Sequence, residues 1–298
     1  MILINSKYTI NNMKTDDLAL ANLTISNMSQ TEVETAIKWA KAEGWNPGIH
    51  DGECFYHTDP KGFYAAKLDG KIVGTVSIVK YSEDFAFAGF YIVLPEFRGH
   101  GIGLKIHQFV TNKTRNLNLG IDGVVNMQSR YEQAGLKTAY TNTRYAGIIK
   151  TKNWDKCIPI KKTDLVKVAA FDSKFFPAKR SKFLECWLYQ KDAFALMVPD
   201  ANGLLRGYGV IRKCFHGYKV GPLFAQDEDA AGLLFSSLAA SVSGEEVFLD
   251  VPDPNLAGVN LAKSFGMKPV FSTFRMYTKT APKLPLEKIF GVTTFELG

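Results

Sequence analysis

Residues Arg98-Gly99-His100-Gly101-Ile102-Gly103 combine a permanent positive charge with glycines at alternate positions. A glycine inside a helix costs roughly 1 kcal/mol relative to alanine, so bare backbone at this point indicates a partner that must come close to the main chain. Where a strand turns into a helix through such a stretch, several N–H groups converge in the positive field of the helix N-terminus. That arrangement suits a phosphate or pyrophosphate. Arg98 would either add a charge-assisted contact or fix the loop. Two other phosphate loops do not match. No GxxxxGK[ST] string occurs, and GxGxG after an antiparallel strand is not the GxGxxG of a dinucleotide-binding βαβ unit.

The elements that must hold this turn can be read around it. LTISNMS (23–29) alternates like a half-buried strand, and Ser29 followed by Glu32 has the spacing of a capping box. Val33, Ala36, Ile37 and Ala40 share one helical face, with Gly44 placed to stop the helix. GFYAAKLDGKIVGTVSIVKYS (62–82) predicts two strands joined by a turn at Asp69-Gly70. FAFAGFYIVL (85–94) predicts a strand buried on both faces. Beyond the glycines, Ile102, Ile106, Phe109 and Val110 predict an amphipathic helix. IDGVVNM then reads as a strand and QSRYEQAGL as a short helix ended by Gly135.

A similar order recurs later in the chain. DSKFFPAKRSKFLECWLYQ predicts a helix that Pro177 starts or interrupts, and AFALMVPDANGLLRGYGVIRK a hairpin around Asn202-Gly203. YKVGPLFA, DEDAAGLLFSSLAASV, EVFLDV and AGVNLAKSFGM predict strand, helix, strand and helix. The division expected is an N-terminal tail at 1–19, a first domain at 20–148, a linker at 149–163 and a diverged second copy at 164–298. The fold class is a mixed α/β fold of two such domains, each a mostly antiparallel sheet flanked by helices.

The bulk figures fit this. The chain has 298 residues, 46% hydrophobic and 22% charged, as expected of a soluble globular protein of two ordinary domains. No apolar run reaches the roughly 18 residues needed to span a bilayer. The first residues lack the pattern of a secretory signal, so no membrane association and a cytoplasmic location are expected. A net charge of +7 permits an acidic partner, but Lys and Arg are scattered rather than gathered in a stripe, which disfavours nucleic acid. The lysine-rich KTKNWDKCIPIKK (150–162) reads as a solvated connector. Cys54, Cys157, Cys186 and Cys214 lie far apart with no CxxC pair and no nearby His cluster. A disulfide or a metal site is therefore not expected.

The Arg98–Gly103 pattern, its lead-in Val93 and Pro95, and the later RYEQAGL in the same order resemble the acetyl-CoA motifs of the GNAT superfamily of N-acetyltransferases. Over roughly 20–145, EGWNPG, FYIVLPEFRGHGIG, IDGV and NTRY resemble a subset with a second, GNAT-like domain, as do the later FRMY and FELG. The resemblance implies acetyl-CoA as co-substrate and a primary amine, a small molecule rather than a protein chain, as acceptor. It implies that main-chain groups of Tyr91, Ile92 and Val93 hold the pantetheine and polarise the thioester. Arg98, Gly99, His100, Gly101, Ile102, Gly103 and Leu104 would bind the pyrophosphate, with Asn126 also at the cofactor. Tyr131 would protonate the departing thiolate, or is a packed aromatic.

Family members often carry a glutamate on the strand before the glycine turn, and FAFAGFY has no carboxylate. Asp122 is the better candidate for the base or for binding the substrate ammonium, with a turn role beside Gly123 as the alternative. Glu96 reads as solvated or capping. Trp45 and Asn46 of GWNPG would line the acceptor pocket, or pack after the helix stop. Asp51 and Glu53 would favour a cationic acceptor, or are loop acids in water. Aligning Gly266 of SFGM with Gly135 puts Ala262 at the Tyr131 position, Asp229 at that of Arg98, Gly232 at that of Gly101 and Leu234 at that of Gly103. Acids where pyrophosphate would sit imply a second domain that has lost its cofactor site and shapes the acceptor pocket. A CoA sensor without turnover and an aminoacyl or long-chain acyl transferase are the rival readings. Self-association is expected only from the family.

Overall fold

The computed structural model describes residues 20–151 and 156–298. The expected tail at 1–19 and residues 152–155 of the lysine-rich connector lie outside the described residues. The first half runs β1 (Leu23–Asn27), α1 (Gln30–Ala42), α2 (Asp51–Thr58), β2 (Phe63–Leu68), β3 (Lys71–Lys80) and β4 (Phe85–Val93). It continues with α3 (Ile102–Thr114), β5 (Asn118–Val124), α4 (Gln128–Gln133) and β6 (Lys137–Ile148). The second half holds β7 (Ile158–Pro159), α5 (Leu165–Asp172), α6 (Ser181–Trp187), β8 (Ala193–Pro199), β9 (Leu205–Lys213) and β10 (Tyr218–Ala225). It ends with α7 (Glu228–Ala240), β11 (Glu246–Pro252), α8 (Leu256–Ser264), β12 (Lys268–Tyr277) and β13 (Ile289–Gly291).

Local signals act where the sequence places them. Ser29 and Glu32 form a reciprocal capping box on α1. Gly44, at φ +80°, ends α1: its N–H donates to Lys41 O and that of Trp45 to Ala40 O, a Schellman pair. Asp69 and Gly70 both take positive φ and turn β2 into β3. Of the helix predicted across 172–190 only α6 (Ser181–Trp187) forms, and residue 172 instead ends the preceding helix α5. Asp172 closes α5 and is bound by Arg180 through two hydrogen bonds, so the chain loops back between them around Pro177.

The α/β architecture of two mostly antiparallel units is as expected, but their sheets are not separate. One 13-stranded sheet runs β1-β2-β3-β4-β5-β12-β6-β11-β10-β9-β8-β7, with β13 added on β10. The two units exchange a strand. β12 pairs with β5 of the first half, and β6 pairs with β11 of the second. Between them β6 and β12 pair with each other.

Two buried ion pairs lock the exchange, and they are repeats of one another. Arg275 stands opposite Asp122 in the register and donates to both its carboxylate oxygens, at 2.8 and 2.7 Å. Arg144 stands opposite Asp250 and does the same, at 2.6 and 2.8 Å. A third pair joins Arg212 on β9 to Asp51 at the start of α2. The largest apolar cluster also spans both halves, with Phe55, Phe63 and Phe90 meeting Phe183, Trp187 and Phe224.

Against expectation, Cys54 on α2 and Cys186 on α6 form a disulfide with Cα atoms 5.2 Å apart. The partners are 132 residues apart in sequence and in different halves, so spacing carried no sign of them. Cys157 and Cys214 are free and buried. Two thiols are therefore expected to titrate in the denatured oxidised protein and four after reduction. Reduction should lower the unfolding free energy, by chain entropy roughly 5 kcal/mol for so long a loop. Thiol titration and urea unfolding with and without reductant check both.

Candidate acyl-transfer site

β4 and β5 run parallel and pair only from Phe85↔Asn118 to Ala88↔Ile121. Beyond that point β5 stays on β12 and β4 stays on β3, so the two strands part and open a wedge. On β4 the register with β3 slips between Ser77 and Thr75, and Phe90 takes a positive φ of 49°, as in a bulge. The main chain of Tyr91, Ile92 and Val93 therefore lies along the open side of the parallel pair.

The glycine turn sits at the mouth of this wedge. Gly99 and Gly101 have φ of +87° and +82°, conformations that side chains resist, and a methyl group at Gly99 would meet no atom within 4 Å. Space over the backbone is open there. Gly101 is the N-cap of α3 and no side chain caps the helix. The N–H groups of Ile102, Gly103 and Leu104 are thus left without intrahelical acceptors. Arg98 fixes the loop: it donates to Val93 O at 2.8 Å and pairs with Glu43 at the end of α1. His100 and Leu104 are exposed on this turn, and Asn126 is exposed just beyond the end of β5.

Two phenols flank the wedge. The Tyr91 hydroxyl donates to Gly103 O at 2.6 Å, tying β4 to the first turn of α3. Burial, reinforced by Tyr131 nearby, pushes its pKa up to about 12. Tyr131 on α4 lays its ring against β5 at Gly123, where a methyl group would sit 2.5 Å from the ring. Burial raises the Tyr131 phenol too, so it keeps its proton at neutral pH.

The second half repeats this plan with the site closed. β10 and β11 pair in parallel only from Tyr218↔Val247 to Val220↔Leu249. There β13 lies in the opening, paired with β10, and Val292 N–H donates to Asp250 O at 2.8 Å. The connection into α7 is residues 226–227, against 94–101 in the first half. Asp227 therefore occupies the N-cap place of Gly101, which corrects the alignment of Gly101 with Gly232, a residue inside α7. Its carboxylate accepts from Ala230 N–H, and Arg206 binds both Asp227 and Asp229.

Several candidate acceptor residues are committed elsewhere. Asp122, expected as base or ammonium ligand, has a fully buried side chain held by Arg275 and by Asn142 Nδ2 at 2.9 Å. It anchors β5 to the exchanged strand, and its place in the repeat is that of Asp250. Asp51 is buried and accepts from Arg212 and from Gly48 N–H, so it does not face a substrate. Asn46 exchanges hydrogen bonds with the main chain of His216, and its own carbonyl accepts from Lys219 Nζ. Trp45 packs on the shared core while its carbonyl accepts from Arg144. Glu53 is exposed. Among the described residues no group of three or more His, Cys, Asp or Glu could hold a metal ion.

Residues 30–132 match the family model described as "Acetyltransferase (GNAT) family", and residues 168–291 match a second one, "Acetyltransferase (GNAT) domain". The chain is 31% identical to holothin acyltransferase of a Pseudoalteromonas strain, over 91% of this chain and 92% of that one. The chain belongs to the GNAT acyltransferases. Among solved structures, a candidate acetyltransferase of Pyrococcus horikoshii superposes with a TM-score of 0.78 at 19% identity, covering 100% of this chain and 99% of that one. A tandem GNAT protein from the clavulanic acid biosynthesis pathway gives 0.61 at 13%, covering 87% of this chain and all of that one. These structures share the tandem GNAT fold. GNAT acyltransferases take an acyl-CoA as co-substrate, and the open wedge, bulged β4 and uncapped α3 of this chain fit a thioester arm ending in a pyrophosphate. No described helix is long and apolar enough to cross a membrane.

Asp122→Asn should leave CoA affinity unchanged and cost about 3–5 kcal/mol of stability, because it strips a buried guanidinium of its counter-ion. Urea denaturation beside a CoA titration checks this.

Proposed function

We propose that the protein transfers an acetyl group from acetyl-CoA to the primary amine of a small molecule, with chemistry confined to the first half. The observation that carries this is the contrast between the two wedges: one open with a bare helix start, the other occupied by the chain's own β13 and capped by Asp227. In this reading residues 20–148 hold the cofactor and 164–298 shape the acceptor pocket. The full-length likeness to holothin acyltransferase makes holothin the first acceptor to assay.

Main-chain N–H groups from Gly99 to Leu104 receive the pyrophosphate in the field of α3, that of Arg98 being already given to Pro95 O. The main chain of Tyr91, Ile92 and Val93 pairs with the pantetheine as a strand would, and polarises the thioester carbonyl. Positioning of amine and thioester supplies much of the rate. As the C–N bond forms and the C–S bond breaks, Tyr131 gives its proton to the CoA sulfur. A raised phenol pKa keeps that proton in place until the thiolate, a stronger base in a dry site, demands it.

Calorimetric titration with acetyl-CoA should give one site per chain. Gly101→Asp, which puts a carboxylate and a strained φ where the anion sits, should weaken binding by roughly 100-fold or more. Unchanged affinity would remove the phosphate assignment. Tyr131→Phe should lower kcat on the order of 10²-fold with little change in CoA affinity. Equal turnover would leave Tyr131 a packing residue.

A further inference from the structure

After β13 the chain does not leave the molecule. Residues 292–298 cross back to the first half and lie on β4 where the wedge begins. A methyl group at Gly89 would meet Glu296 O at 2.2 Å, so the glycine is what lets this segment close on the strand. The Tyr81 hydroxyl donates to Leu297 O at 3.0 Å, and Gly298 rests on Phe87. The turn is pinned from within, Thr294 Oγ1 accepting from the N–H groups of Glu296 and Leu297.

The segment brings a carboxylate with it. Glu296 is 2% exposed, yet neither side-chain oxygen has a hydrogen-bond partner. Other charged groups of the same interior are also incompletely satisfied. Arg212 uses only Nε on Asp51, and both its terminal nitrogens are buried and unpartnered. Lys219 has one bond, to a main-chain carbonyl. A buried group left in this state costs folding free energy, of the order of 1–3 kcal/mol or more when charged. Asp122, Asp250, Asp51 and Asp172, by contrast, are all paired with arginine. Glu296 stands apart as a buried carboxylate that no hydrogen bond holds, in the field of Lys219, Arg144 and Arg212 and on the segment whose main chain lies against β4.

We propose that Glu296, delivered by the second half, binds the acceptor amine over β4 and takes its proton as the amide forms. This rests on the acyl-transfer reading above. The amine nitrogen attacks the thioester carbon, its proton passes to the Glu296 carboxylate, and the sulfur leaves with the proton of Tyr131, so the amide and free CoA balance the amine and acyl-CoA. β4 itself has no carboxylate for this task. Burial raises the Glu296 carboxyl above its ordinary range, and Lys219 of β10, Arg144 of β6 and Arg212 of β9 pull it back while Asp51 of α2 adds to the rise. A carboxylate moved toward neutral pH is a better proton acceptor than an ordinary one.

The test compares wild type, Glu296→Gln and Glu296→Asp by thiol release from acetyl-CoA with holothin, by CoA calorimetry and by urea unfolding. Glu296→Gln should bind CoA normally, keep or raise its unfolding midpoint, and lose turnover by on the order of 10²-fold or more. Glu296→Asp should restore part of that rate. The rise of kcat with pH through the carboxyl's titration should vanish in Glu296→Gln. Retained turnover in Glu296→Gln would overturn the proposal. So would a lowered midpoint, which would make the carboxylate a counter-ion for Lys219 and the arginines. A wild type that binds CoA but releases no thiol with holothin counts against that acceptor and the transfer reading. The unfolding comparison then decides the role of Glu296 alone.

Discussion

The exchange of β6 and β12, fixed by Arg144–Asp250 and Arg275–Asp122, is the constraint from which the rest of the molecule follows. Each half lacks the strand that would complete its own sheet and takes it from the other. Burying two arginines at the centre of a sheet is expensive unless each is matched, and the register sets a carboxylate directly across from both. Removing either strand would leave a charge unpaired in the other half. The two units therefore stand or fall together, and the clusters around Phe90 and Trp187, with the α2–α6 disulfide, add to a boundary already closed by the sheet.

The same constraint explains how one wedge stays open. β5 is held on its far side by β12, so it need not follow β4 beyond Ile121. In the second half β11 is held in the same way by β6, and the same opening appears beyond Leu249. There it is filled by three residues of chain, Ile289–Gly291, that pair with β10. Duplication made two clefts, and the shorter turn before α7, its Asp227 cap and β13 leave only the first one free. The strand that fills the closed cleft also leads into the segment that lies on Gly89 of the first half.

Signals confined to a few residues were legible in the sequence. The capping box at Ser29, the stop at Gly44, the Asp69-Gly70 turn and the glycine turn before α3 are each local, and local physics decides them. The internal repeat was legible as well. Its Gly135–Gly266 alignment sets Arg144 on Arg275, but it sets Asp122 on Asp253 rather than on Asp250, so the paired carboxylates were not legible from it. What was missed depends on pairing at long range. Asp51 reads as a loop acid until Arg212 arrives from β9, and Cys54 reads as an isolated thiol until α6 brings Cys186. The helix start of the second half was misaligned because a deletion in a turn leaves no trace in periodicity. Glu296 escaped notice because nothing in FELG says where the segment ends up.

Buried charge is distributed unevenly over this interior, and the distribution separates scaffold from candidate chemistry. Asp122, Asp250, Asp51 and Asp172 each meet an arginine in close geometry, which fixes register and orientation. Such groups have no capacity left for a substrate. Glu296, Lys219 and the free ends of Arg212 lie in the same low-dielectric region without that closure. Folding tolerates incomplete pairing only where the packed strands around it supply enough stability, and here they do, through the continuous sheet and the shared apolar core. The exchange of strands thus does two things at once. It makes the halves inseparable, and it supplies the rigidity that lets a few charged groups of the shared interior remain unsatisfied.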